Sequence, residues 1–165
     1  MNIHNLTDIE VSIFKRMPKN GNFEERDTYL KSHKLYGALR NLFSEYASLA
    51  IEGNTEALKR ALFFAWYQCS EPNQLSGLSE LDEELIFEVL KKVDSYIETK
   101  SIDTELSFML PYYYEVCDWY FERFSGLESL LFASKINIDK WAQEAPKQNW
   151  DNRGMMGEYW ISKGL

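Results

Sequence analysis

Apolar residues recur three and four positions apart along most of the chain, the spacing that lines one face of an α-helix. Runs with the one-by-one alternation of a strand are missing. Between Phe23 and Ile51 the positions Tyr29, Leu30, Leu35, Leu39, Leu42, Phe43, Tyr46 and Leu49 step in this way, with a break expected near Ser32 or Gly37. The next segment sets Leu58, Ala61, Leu62, Ala65, Trp66 and Cys69 on one face and adds Phe63, Phe64 and Tyr67 around the wheel. A helix apolar nearly all round has no solvent side, so this one is predicted to be central and buried. Leu85, Ile86, Val89, Leu90, Val93 and Ile97 form a one-sided stripe, whose opposite face of Glu83, Glu84, Glu88, Lys91, Lys92 and Asp94 reads as solvated. A further helix runs through Leu106, Met109, Leu110, Tyr113, Cys117, Tyr120, Phe121 and Phe124. Pro111 lies inside it. Proline removes one backbone donor and crowds the carbonyl four residues back, which predicts a kink or break near Ser107 to Leu110.

The punctuation agrees with helices joined by short loops. Thr7 to Glu10 has the capping-box order, in which a hydroxyl and a carboxylate each satisfy a free backbone N–H, and it is taken to open the first helix, which closes near Met17. Asn20-Gly21 marks a turn, Gly53-Asn54 ends one helix and caps the next, and Glu71 to Leu78 reads as a loop. Ser79 to Asp82 offers another cap, Ser125 to Glu128 repeats the capping box, and Asn137-Ile138-Asp139 starts a last helix that stops before Pro146. Beyond Lys147 no period is visible, yet Trp150, Met155, Met156, Tyr159 and Trp160 are too apolar for a solvated tail. The expected fold is all-α: a single-domain, irregular bundle of six to eight helices over residues 1–165, with 147–165 an irregular segment docked on the body.

Composition narrows the function. Of 165 residues, 45% are apolar and 27% charged, proportions of a globular chain with one sizeable core. The net charge of −8 is unevenly spread: residues 1–60 hold nine bases against eight acids, and residues 61–165 nine against eighteen. Nucleic acid needs a basic footprint, so it is disfavoured as a partner, and a basic protein is favoured. No apolar run reaches the length of a membrane span, and the start lacks the basic-then-apolar order of a signal peptide, so a cytoplasmic home is expected. His4 and His33 are the two histidines; C-x-x-C pairs and H-E-x-x-H are absent, so neither metal nor cofactor is expected. Cys69 and Cys117 read as buried, reduced thiols, and the carboxylates beside Cys117 should raise rather than lower its pKa. A serine nucleophile motif is missing as well.

The local peculiarity is the ring-dense stretch from Tyr112 to Phe124. One buried face takes about half of such a set, so some rings must meet another element or a partner. Glu115, Asp118 and Glu122 stand at i, i+3 and i+7 and so share one helical face. Tyr112, Glu115, Asp118, Trp119 and Glu122 are therefore the candidate partner-binding residues, with no catalytic residue assigned. In build, a small, acidic, aromatic-rich helical chain resembles bacterial immunity proteins and other helical inhibitors or adaptors. The expectation is a non-enzymatic interaction module. A ligand-binding protein or enzyme with a Tyr, Trp and carboxylate pocket is the alternative, and a structural homo-oligomer is the second alternative.

Overall fold

The computed structural model describes residues 2–136 and 139–164, and among them the chain is all-helical: eleven α-helices, one 3-10 turn and no strand. The count exceeds six to eight because α5 and α11 fall in stretches read as a loop and an irregular segment, and because Cys117 splits one expected helix into α7 and α8. None of the described helices is long and apolar enough to cross a membrane. The chain divides into two compact units, Met1–Ile86 and Phe87–Leu165, the division falling inside one helix.

The first unit holds α1 (Ile3–Lys15), α2 (Phe23–Ser32), α3 (Leu35–Ile51), α4 (Thr55–Ser70), α5 (Asn73–Ser76) and the start of α6 (Glu83–Glu98). Helix α1 begins earlier than the capping-box reading placed it. Asn2 is its N-cap, accepting from the Asn5 N–H at 2.9 Å, while the Thr7 hydroxyl donates to the Ile3 carbonyl inside the helix. The box that does form is Asn22 with Glu25, each side chain accepting from the other's backbone N–H. Asn54 and Asp82 cap α4 and α6 as expected, through the N–H groups of Ala57 and of Glu84 and Leu85. The apolar residues of α4 from Ala57 to Trp66 are all buried, as their distribution around the wheel predicts.

Glu10, Lys59 and Arg60 are buried too. The Glu10 carboxylate, with none of its surface exposed, accepts from the Tyr46 hydroxyl at 2.6 Å, and Arg60 reaches Glu10 at 3.4 Å, Tyr46 at 3.1 Å and Thr7 at 2.8 Å. These bonds tie α1, α3 and α4 at one level. At the other end of α1, Arg16 donates to the His33 carbonyl, so α1 and α3 lie antiparallel. Gly77 closes α5 at φ +72°, where a Cβ would come within 2.8 Å of both Leu39 and Met17.

The second unit holds the rest of α6, α7 (Thr104–Val116), α8 (Asp118–Glu122), α9 (Glu128–Ser134), α10 (Lys140–Glu144), the 3-10 turn Ala145–Lys147 and α11 (Gly154–Ser162). Helix α7 continues through Pro111 because Phe108 to Tyr113 are all buried, and that packing outweighs one lost hydrogen bond. The interruption falls at Cys117, whose φ of −151° and ψ of 69° leave the helical basin. Asp94 is buried rather than solvated: its carboxylate accepts from the Leu130 N–H at 2.7 Å and caps α9 from outside, where Ser125 was expected to do so. Asn137 and Ile138, the expected start of a last helix, lie outside the described residues. The stretch without a visible period carries α11. Its Trp160 packs on Trp150 at 5.3 Å, Phe108 at 5.6 Å and Tyr112 at 4.9 Å, and Arg153 clamps Glu105 through two nitrogens at 2.9 and 2.7 Å. Gly157 lets α11 pass over the backbone of Trp150, where a Cβ would stand 2.3 Å from its carbonyl oxygen.

Candidate functional site

The break at Cys117 turns the ring-dense stretch into an elbow between α7 and α8, and the elbow sorts its side chains. Tyr113, Tyr120 and Phe121 are completely buried. Tyr112 is buried as well, its hydroxyl 2.6 Å from that of Tyr159 and its ring 5.0 Å from Trp141, so it is an interior residue and not part of an open surface. Trp119 points the other way. It is 52% exposed, and its neighbour across the elbow, Val116, is 49% exposed. Glu115, Asp118 and Glu122 are all exposed, but Glu115 belongs to α7 and the other two to α8, so the shared face of one continuous helix does not form.

The three acids also differ in what they touch. Glu122 is engaged: the Tyr114 hydroxyl donates to it at 2.5 Å and Lys135 pairs with it at 3.1 Å, the ammonium also lying 5.4 Å from the Tyr114 ring. These two donors hold the Glu122 carboxyl below the usual range, and the same contacts push the Tyr114 phenol and the Lys135 ammonium up. Glu115 and Asp118 form no ion pair among the described residues, Asp118 accepting only the Trp119 N–H at 2.7 Å. Arg123 lies over the Tyr120 and Phe124 rings at 4.9 and 4.5 Å. The face of the elbow is thus two unneutralised carboxylates around an exposed Trp and Val. Burial pushes the Cys117 thiol up, and the Asp118 charge adds to this, which makes it a poor nucleophile at neutral pH. Cys69 is half-buried, where the sequence reading placed it in the core, and Cys117 is buried.

Sequence reasoning missed Val116, Phe132 and Ile136. Phe132, 69% exposed, and Ile136 stand on α9 and just after it, a helix that packs against α7. Their exposure follows from where α9 ends and from its cap by Asp94, neither of which leaves a local signal.

In the first unit a cavity of about 600 Å³ is lined by Asp27, Lys31, Lys34, Tyr36, Arg40 and Glu80, among others. Here Asp27 accepts from Lys31 and from the Tyr36 hydroxyl, and Arg40 pairs with Glu80 at 3.0 Å. Lys31 and Tyr36 hold the Asp27 carboxyl low, while burial and Asp27 push the Tyr36 phenol up to about 12. Both shifts run away from neutrality, the opposite of what general acid–base work requires. Among the described residues no group of three or more His, Cys, Asp or Glu side chains could hold a metal ion. The chain matches no protein-family model, no curated protein and no solved structure.

Proposed function

We propose that this chain is a protein-interaction module that binds a basic partner through the α7–α8 elbow, acting by occlusion as an inhibitor of immunity type or as an adaptor. The observation that carries the reading is Trp119, 52% exposed on a unit whose other described tryptophans, Trp141, Trp150 and Trp160, are packed among rings. Tryptophan offers large contact area at little entropic cost and is a preferred anchor of interfaces. Glu115 and Asp118 supply the unneutralised charge that would steer Lys or Arg toward it and fix the register. Val116 extends the apolar patch across the elbow.

The test is affinity capture from the native host with the parent chain, followed by binding of the recovered protein to Glu115→Lys/Asp118→Lys and to Trp119→Ala. Slower association with the charge-reversed variant and faster dissociation from the Trp variant support the reading. Unchanged rates for both variants would contradict it.

A further inference from the structure

A groove of about 610 Å³ runs along the first unit between α1 and α3. Leu6, Ile13 and Leu42 form its buried floor, and Ile9, 40% exposed, stands on its rim. The antiparallel packing of α1 on α3 decides where the charges fall. Glu10 meets Tyr46, so in the antiparallel pair Glu45 stands about level with Val11, on the Asp8 side of Ser12; Arg16 meets His33 at the far end. Asp8 and Glu45 form no hydrogen bond or ion pair through their carboxylates among the described residues, and Arg16 forms no ion pair, donating only to the His33 carbonyl. An apolar groove therefore carries two acids without a counter-charge in one half and a cation without one at the end of the other.

That pattern is complementary to itself under twofold rotation. Ser12 lines the groove midway between Asp8 and Arg16, which are about 12 Å apart along the axis at 1.5 Å per residue. A twofold axis through Ser12 sets α1 antiparallel to its copy. Each Arg16 then faces the other copy's Asp8 and Glu45, and each Ile9 rim enters the opposite groove. Such isologous contacts, in which one patch meets itself, are the commonest way soluble chains associate. A parallel arrangement would set acid against acid and cation against cation.

We propose that the α1–α3 groove is the docking surface for a second copy of this chain, forming a twofold dimer through Ile9, Arg16, Asp8 and Glu45. The groove and the elbow share no residue, so each can be tested by its own variants.

The experiment is sedimentation of the full chain over a range of concentrations, with folding of every variant checked by circular dichroism. The parent is expected to sediment as a dimer. Arg16→Glu alone, and Asp8→Lys/Glu45→Lys alone, each set like charges against each other and should weaken association about tenfold or more, on the scale of close ion pairs at interfaces. Mixing these two variants restores opposite charges and should recover the dimer. Ile9→Glu, at an exposed position, should give a folded monomer. A parent that stays monomeric up to its solubility limit overturns the proposal, as does a dimer insensitive to Ile9→Glu or one that the mixed charge variants fail to restore.

Discussion

The interior shared by α1, α3 and α4 contains a charge cluster, Glu10 with Tyr46 and Arg60, whereas the interior shared by α7 and α11 is built on rings around Trp160. The cluster is directional. Its bonds form only when three helices stand in one register, so it specifies geometry at a desolvation cost that is large for buried ions. The ring stack is tolerant in angle but contributes a large apolar area, and it holds α11, a helix with no visible hydrophobic period, in place. The difference bears on function. Trp150, Trp141 and Trp160 meet the packing demand of the second unit, so Trp119 is surplus to it and stays outside.

The largest effects should come from breaking each interior in turn. Trp160→Ala removes the ring at the centre of the stack and should cost about 3–5 kcal/mol, read as a lower urea midpoint. Arg60→Met strips the buried Glu10 carboxylate of its guanidinium and should cost a similar amount, about 3–5 kcal/mol. The two interiors then part company. Adding Glu10→Leu to Arg60→Met replaces ions by apolar groups and should recover much of the loss, whereas the Trp160 cavity has no such partner substitution. A double variant no more stable than Arg60→Met would show that the cluster is a net stabiliser.

Gly157→Ala is the next step down. Its Cβ would stand 2.3 Å from the Trp150 carbonyl oxygen, so α11 must shift, at an overpacking cost of about 1–3 kcal/mol. Asp94→Ala removes the cap that α9 receives from α6 and should cost about 1 kcal/mol. Thermal melting separates both from the parent.

The helices and their buried faces were legible in the sequence because burial of α3, α4 and α6 imposes a local period. The elbow was half legible. The excess of rings from Tyr112 to Phe124 showed that some must turn outward, but which ones depends on Cys117 leaving the helical basin and on α11 claiming Tyr112. Glu10 read as a capping-box carboxylate and Asp94 as part of a solvated face, because the groups they meet, Arg60 and the Leu130 N–H, lie 50 and 36 residues away. Loop composition hid α5 inside the stretch from Glu71 to Leu78, whereas α8 was read as the continuation of α7 and α10 as the last helix before Pro146.

A smaller, graded effect is expected from alkali. Burial pushes the Tyr67 phenol up to about 12, as it and Asp27 push Tyr36, and burial raises Tyr46 and Tyr113 further still. The folded chain holds these protons at a pH where the unfolded chain, with phenols near the ordinary value of about 10, releases them. The stability they contribute is complete below that pH and is lost as pH rises through the folded values. Urea midpoints should therefore fall steadily from about pH 10 upward, through phenols of both units; a flat profile would show these hydroxyls to be solvated.

The central claim is that Trp119, left over from packing, is the anchor of a partner interface. The direct measurement is the dissociation rate of the captured partner from the parent and from Trp119→Ala, with urea midpoints of both chains determined alongside. An unchanged midpoint is expected, with an affinity weakened by at least about 2 kcal/mol, carried mostly by faster dissociation. A variant that binds like the parent, or that loses stability as Trp160→Ala does, would contradict it.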